Sequence, residues 1–163
     1  MKWRTAKAQE LFAYMLHFRG KVVDKDTILE LLWPDFDVPR ASQQLYTTIY
    51  LIRQTLKKYG LHTISISSQG IENGYMLTVG ETLIDTEVWE ERMKRLGPPD
   101  LRTAAEHRSV MDMYRGDYFK RYDFLWAESE RERLRRLWLN YALDLSCFYE
   151  EHGMAEDAIA MNL

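Results

Sequence analysis

The side chains of this sequence best suited to chemistry lie on one predicted helix, residues 40–58. Apolar residues recur along it at helical spacing, namely Ala41, Leu45, Ile49, Ile52 and Leu56. The opposite face carries amides, hydroxyls and cations and no carboxylate. Amides can pair with adenine edges, hydroxyls with several base edges, and cations with phosphates. The pattern therefore fits a helix that reads duplex DNA, and it also fits an ordinary amphipathic helix with a polar outer face.

The charge around this helix favours the DNA interpretation. No Asp or Glu occurs between Asp37 and Glu72, although the chain has a formal net charge of −3. We expect the polar side chains and Tyr50 to meet bases, the cations to meet phosphates, and the turn at 68–73 to approach the DNA alongside. For Arg53 an equal alternative is a packed stem and a bond to local backbone. The candidate DNA-binding residues are Arg40, Gln43, Gln44, Thr47, Thr48, Tyr50, Arg53, Gln54, Lys57, Lys58, Ser68 and Gln69.

Length and composition limit this interpretation. The 163 residues are 46% hydrophobic and 29% charged, which is ordinary globular composition and allows one large or two small domains. Residues 1–90 hold 10 basic and 11 acidic side chains, and residues 91–163 hold 12 and 14. The basic overall charge that is common in nucleic-acid-binding domains is missing. Any DNA binding must therefore depend on a local basic patch.

No residue pattern indicates catalysis or a cofactor. The four histidines, at positions 17, 62, 107 and 152, have no metal-ligand spacing. Neither a glycine-rich phosphate loop nor a nucleophile motif occurs. The single cysteine, Cys147, excludes an internal disulfide, and we expect it to be buried on an apolar helix face. No stretch reaches the ~18 apolar residues of a membrane span. Together these observations lead us to expect a non-catalytic cytoplasmic protein without metal, cofactor or membrane contact.

The elements before the candidate DNA helix are two shorter helices. Thr5 can cap a helix that runs to about Arg19, and Asp24 can cap a second one that Pro34 ends. Residues 22–23 could pair as a strand fragment. The loop from Pro34 to Pro39 leads into the candidate helix, and its two aspartates are expected to be solvated.

After Gly60 the period of the apolar pattern changes from 3.6 to 2. Residues 62–67 and 74–79 alternate polar and apolar side chains, and the turn at 68–73 lies between them. Two such segments predict a β-hairpin. Three helices followed by a hairpin are the layout of a winged helix, which is a helix-turn-helix variant. We expect Trp33 to lie in its core and Tyr75 to pack beneath the wing.

The second half of the sequence predicts an all-helical module. Residues 97–100 are a breaker, residues 101–114 a helix and residues 115–117 a turn. A long helical pattern from 125 to 151 follows, and another helix begins after Gly153. One pair of helices across a glycine turn resembles the start of a tetratricopeptide-like array. The charge run at 128–136 is expected to be a solvated, ion-paired helix face.

Several spaced motifs resemble a known family. The pairs Trp33-Pro34, Ile52-Arg53 and Gly74-Tyr75 resemble motifs of the OmpR/PhoB-type winged helix as it occurs in SARP-type bacterial transcriptional regulators. The segments MDMYRGDYF and WAESERERLRRL resemble the signature of the bacterial transcriptional activation domain that follows it. The resemblance spans nearly the whole chain. It implies a piece of a longer regulator or a short member, because the first helix starts almost at Met1.

The resemblance implies a mainly α protein with two parts. A winged helix-turn-helix at 1–84 would bind DNA through the helix at 40–58 and the wing at 62–79. An incomplete, tetratricopeptide-like activation domain at 85–163 would contact RNA polymerase or a second protomer. The implied function is a sequence-specific transcription regulator of activator type. The alternative is a protein–protein interaction scaffold whose winged helix no longer binds DNA. It is favoured by the near-neutral first half and by Tyr50-Leu51, where members of that family tend to place a basic residue.

Overall fold

The computed structural model describes residues 1–70, 73–154 and 156–158. The chain divides into two compact units, Met1–Thr82 and Leu83–Leu163, each with its own hydrophobic core. The sequence had predicted the division at residue 84. The described fold is mainly helical, with a small antiparallel sheet in the first unit.

The first unit consists of three helices and three short strands. In chain order they are α1 (Ala6–His17), β1 (Val22–Asp24), α2 (Lys25–Leu32), α3 (Val38–Lys58), β2 (Ser65–Gln69) and β3 (Gly74–Thr78). Apolar faces of the three helices meet the inner side of the sheet, where Ile66 and Leu77 are buried. Trp33 and Tyr75 are buried there as well, which confirms the prediction for both.

Side-chain caps fix where the helices of the first unit begin. Thr5 Oγ1 accepts a hydrogen bond from the Ala8 backbone N–H at 3.1 Å, and Asp24 caps α2 in the same way. Asp37 accepts from the Arg40 N–H at 2.8 Å, so it is a helix cap rather than a freely solvated loop residue. As a result α3 starts at Val38, two residues earlier than predicted, and includes Pro39 in its first turn, where proline costs no helical hydrogen bond.

The sheet has the strand order β1-β3-β2, with both pairings antiparallel. The short segment after α1 is therefore a true edge strand, and Val23 lies opposite Tyr75. β2 begins at Ser65 and continues to Gln69, which pairs with Gly74. The hairpin turn is shorter than the predicted 68–73, because Ser68 and Gln69 belong to the strand.

All regular secondary structure among the described residues of the second unit is helical. Its elements are α4 (Asp85–Leu96), α5 (Ala104–Met111), a single 3-10 turn (Leu125–Ala127) and α6 (Glu128–Glu151). α5 is shorter than the predicted 101–114, because the Asp100 carboxylate accepts from the N–H groups of Arg102 and Thr103 and holds the chain in a turn. Residues 156–158 are helical, and the rest of the helix predicted after Gly153 lies outside the described residues.

The core of the second unit lies where α4, α5 and α6 meet. Trp89, Met93, Val110, Leu134 and Leu145 are buried in it. Each such side chain stabilises the fold by roughly 1.5–3 kcal/mol relative to an exposed position.

The prediction that Cys147 is buried is wrong. Cys147 is exposed, because it follows Leu143, which is also exposed, by one helical turn on the solvent side of α6.

Candidate nucleic-acid interface

The outward face of α3 is polar, exposed and free of acidic side chains. Ile49, Ile52 and Leu56 are buried against the unit's core, which turns the other side of the helix to solvent. The exposed set from the predicted DNA-binding residues is Arg40, Gln43, Gln44, Thr47, Tyr50, Arg53, Gln54, Lys57 and Lys58. α3 therefore brings nine of the predicted residues onto one continuous surface.

The two threonines in the middle of α3 differ in exposure. Thr47 is exposed, and its hydroxyl donates a hydrogen bond to the Gln43 carbonyl at 3.0 Å. Thr48 is only 5% exposed. Its assignment as a DNA contact is wrong, because α3 packs against neighbours on more than one side and its buried face is wider than the apolar stripe alone.

Basic side chains lie at both ends of α3. At the C-terminal end Lys57 and Lys58 are exposed in the last turn, where the helix dipole favours cations. At the N-terminal end the Arg40 guanidinium lies 4.0 Å from the centroid of the Phe36 ring. This cation–π contact orients the Arg40 side chain, and it leaves the N–H groups of the guanidinium available for hydrogen bonds.

Arg53 has a structural partner in the sheet. One guanidinium nitrogen donates to the Ile66 carbonyl at 2.8 Å, which ties α3 to β2. This bond corresponds to the local role that the sequence left open for Arg53. A guanidinium has five N–H donors, so the bond occupies a minority of its capacity.

The two predicted contacts at the wing lie on β2 rather than in a turn. Ser68 is exposed, and Gln69 is half-buried with its amide donating to the Ser67 hydroxyl at 2.9 Å. The described part of the turn itself consists of Gly70 and Asn73, and Asn73 has a φ of 46°. The structure thus separates these two residues from the tip that was expected to carry them.

Two residues that the sequence analysis did not include also belong to this surface. Tyr46 is 55% exposed and lies between Gln43 and Tyr50, which is itself 58% exposed, on the outward face of α3. The Lys25 ammonium donates to the Tyr46 hydroxyl at 3.3 Å and lies 5.3 Å from its ring centroid. Helical spacing from Gln43 and Tyr50 was a sufficient signal for Tyr46. Nothing in the local sequence pointed to Lys25, which comes from α2.

Burial raises the pKa of the Tyr75 hydroxyl. Tyr46 adds to the rise, while Lys25 and Arg53 oppose it. Lys25, at the start of α2, contacts Tyr46 of α3, and its backbone N–H donates to the Asn73 carbonyl just before β3 at 3.0 Å. These three elements therefore meet close to the candidate interface.

In the second unit, the charge run at 128–136 holds a loop in position. Arg131 has a side chain only 12% exposed. It donates to the backbone carbonyls of Tyr118 and Tyr122 at 2.8 and 2.5 Å. The prediction of a solvated helix face is therefore wrong for Arg131, although Glu132 and Arg136, 3.9 Å apart, do form an exposed pair.

Two other arginines of the run bind carboxylates from outside α6. Arg133 pairs with Glu90 of α4 at 2.6 Å, and its hydrogen bonds to Glu130 and Glu90 raise the pKa of its guanidinium. Arg135 pairs with Asp117 at 2.7 Å and holds the pKa of that carboxyl below its usual range. The arginines of α6 therefore anchor α4 and the loop at 115–124.

No protein-family model matches this chain, and no curated protein matches it. Within the described ranges, no cluster of three or more His, Cys, Asp or Glu side chains could hold a metal ion. None of the helices in those ranges has the length and apolar character needed to cross a membrane.

Proposed function

We propose that the first unit is a winged helix-turn-helix that binds duplex DNA sequence-specifically, and that the chain is a transcription regulator of activator type. The observation that carries the proposal is the exposed face of α3. It combines amides, a hydroxyl and aromatic rings in its middle with cations at its ends, and it has no carboxylate. The proposed mechanism is non-catalytic.

The order of elements in the first unit supports the same proposal. α2 and α3 are consecutive helices joined by residues 33–37, and a hairpin of β2 and β3 follows. In a helix-turn-helix protein the second helix of such a pair enters the major groove with its N-terminal residues near the bases. The groove is about 12 Å wide and admits one α-helix. We therefore propose that α3 is the recognition helix and that the hairpin is the wing.

The base-reading role falls to the middle of α3. Gln43 and Gln44 carry amides that can pair bidentately with an adenine edge. Thr47 can accept from a base amino group or touch a thymine methyl, and Tyr50 offers apolar contact. These contacts would set sequence preference, whereas the cations would supply affinity that is independent of sequence.

Because the net charge of the chain is −3, DNA affinity would rest on few cations. The exposed Arg40, Lys57 and Lys58 correspond to about three neutralised phosphates, and hence to a slope near −3 in log affinity against log salt. We propose that a single first unit therefore binds DNA strongly only at low to moderate salt. A second protomer on the same DNA would raise the affinity.

The helical second unit is proposed as an activation module that contacts RNA polymerase or a second protomer. The motif at 111–119 and the charge run of α6 support this, because they resemble a family signature and together build one anchored loop. A tetratricopeptide-like pairing of helices is part of the same proposal.

A protein–protein interaction scaffold is the competing function. Tyr46 and Tyr50 are both large exposed aromatic side chains, and tyrosine is enriched in protein interfaces. The exposed face without carboxylates favours DNA over this alternative.

Affinity for duplexes at several salt concentrations separates the two functions. Duplexes selected from a random pool would be compared with unselected ones. A regulator binds the selected duplexes more tightly, and its affinity falls steeply as salt rises. A chain that selects no sequence and binds no duplex at low salt would overturn the DNA proposal and leave the scaffold.

A further inference from the structure

The contact between Lys25 and Tyr46 joins α2 to the exposed face of α3. Lys25 is the first residue of α2 and is half-buried, whereas Tyr46 lies on the third turn of α3, on its outward face. The ammonium donates to the tyrosine hydroxyl at 3.3 Å. In the described part of the chain no carboxylate forms an ion pair with Lys25.

The direction of this hydrogen bond determines what the pair can still bind. Since the Tyr46 oxygen accepts from the ammonium, its own O–H remains free to donate outward. The ammonium keeps two further N–H donors. The pair therefore presents several donors and one positive charge, which suits a singly charged phosphate oxygen and no base edge in particular.

The distance from the pair to Lys58 exceeds the width of the major groove. Tyr46 and Lys58 are separated by twelve residues, which is about 18 Å along a helix that rises 1.5 Å per residue. The groove is about 12 Å wide. The Lys25–Tyr46 pair, near the middle of α3, and Lys58, in its last turn, are therefore far enough apart to meet different phosphates.

We propose that Lys25 and Tyr46 form one composite contact to a backbone phosphate of duplex DNA, which fixes the depth and register of α3 in the groove. The inference rests on the proposed DNA-binding function and adds a phosphate site separate from those that Lys57 and Lys58 approach. Neither residue reads sequence in this arrangement.

The test compares Lys25→Gln, Tyr46→Phe and the double variant with the wild type. Affinity for a random duplex is measured over a range of salt, and thermal unfolding is followed in parallel. Lys7→Gln is the matched control, because it also removes one exposed cation of the first unit, one that pairs with Glu10 at 3.8 Å instead.

We expect Lys25→Gln to weaken binding to every duplex and to flatten the salt slope by about one unit, because one phosphate contact is lost. Tyr46→Phe should weaken binding about threefold to tenfold, as expected for one hydrogen bond, and leave the slope unchanged. The loss of affinity in the double variant should be smaller than the product of the two single losses, because both residues bind one phosphate. Lys7→Gln should change neither quantity.

Two results would overturn the inference, and they are distinguishable. If the wild type binds and Lys58→Ala flattens the slope but Lys25→Gln does not, the pair only packs α2 on α3 and the DNA-binding proposal stands. If the wild type binds no duplex at low salt, both the proposed function and the phosphate site fail.

Discussion

Thr47 and Lys58 are the two residues that separate base reading from phosphate binding on α3. Both point away from the core, Thr47 in the N-terminal half of the helix and Lys58 in its last turn. The Thr47 hydroxyl already donates to the Gln43 carbonyl. Toward DNA it is therefore an acceptor, and its matching partners are the amino groups of adenine or cytosine and, through its methyl group, thymine.

We expect Thr47→Ala to cost roughly 1 kcal/mol of affinity on the selected duplex and to relax preference at one base pair. Lys58→Ala should weaken all duplexes about equally and reduce the salt slope by about one unit. Neither change should lower the free energy of unfolding, because both side chains are exposed. Titrations of selected and random duplexes at several salt concentrations measure these effects. Equal, negligible losses on both duplexes would mean that this face of α3 is merely polar.

His107 links the stability of the second unit to pH. It is 2% exposed, and burial lowers the pKa of its imidazole, although Asp100 and Glu106 oppose the shift. A folded-state pKa below the unfolded value of about 6.5 means that the unfolded chain binds more protons. The contribution of the neutral His107 to the free energy of unfolding is therefore fully present above about pH 6.5, and it decreases as the pH drops below that value.

We expect the thermal midpoint of the second unit to fall between pH 7 and 5.5, a window that lies above the titration of ordinary carboxylates. His107→Gln cannot titrate, and its midpoint should vary less over the same range even if it starts lower. Parallel melting curves of the two proteins provide the measurement. An identical pH dependence in both would rule out His107 as its source.

At the level of single residues, the sequence identified most of the outward face of α3 because helical periodicity fixes direction. It missed the burial of Thr48, since the width of a buried face depends on how many neighbours pack against the helix. It also missed Lys25, because a contact between two helices is not encoded in the spacing of either one. Cys147 was misjudged for a related reason, because an apolar residue on a long helix need not face the core.

Elements of the first unit were predicted well where a cap or a breaker marks them. Thr5 and Asp24 begin helices as expected, and the change of period after Gly60 corresponds to the hairpin. The strand register was less accessible, since β2 starts at Ser65 rather than at residue 62. Pairing with β3 decides that register, and the alternating pattern alone leaves the strand ends open.

Gly74 explains why a glycine begins the last strand. A Cβ atom there would meet the Val23 carbonyl group and lie 2.7 Å from Val22 Cγ1. Only a residue without a side chain lets β1 and β3 approach this closely.

We expect Gly74→Ala to lower the free energy of unfolding by about 1–3 kcal/mol, because the added methyl group forces the two strands apart. Gly70→Ala is the matched control, since no atom lies within 4 Å of a Cβ built there. Denaturant unfolding of both variants measures the difference. Equal stabilities would show that β1 can shift without cost.

Arg131 has a comparable role for the long loop of the second unit. Its guanidinium bonds to carbonyls of the loop and to the Glu128 carboxylate at 2.8 Å. Removing it leaves those carbonyls without their donor.

We expect Arg131→Ala to destabilise the second unit by roughly 2 kcal/mol, the range for hydrogen bonds to a charged group. Arg136→Ala, on the same charge run but largely exposed and 3.9 Å from Glu132, should change stability by less than about 0.5 kcal/mol. Thermal or denaturant unfolding compares the two. If both variants lose the same amount, the loop contacts of Arg131 contribute no more than a surface pair.

On the scale of the whole molecule, each of the two proposed roles belongs to a unit with its own hydrophobic core. All candidate DNA contacts lie in Met1–Thr82, which has its own hydrophobic cluster, and the anchored loop and charge run lie in Leu83–Leu163. The net charge of the sequence does not reveal this division, because it sums the acid-free surface of α3 and the acidic segments elsewhere. A separate core for each unit implies that the first unit can fold, and can carry the proposed DNA-binding surface, without the second unit.

We expect a protein consisting of residues 1–82 to bind the selected duplex with nearly the affinity of the full chain per protomer, and to fail to activate a reporter from the same site. The reason is that the truncated protein keeps α3 and the wing but loses the proposed contact to the transcription machinery. Duplex titration and a reporter assay on the same operator measure the two properties. Full-length Lys58→Ala is the control, because it should lower binding and activation together. Normal activation by residues 1–82 would remove the helical unit from the mechanism, and loss of binding by a folded truncated protein would show that the second unit contributes to the DNA interface.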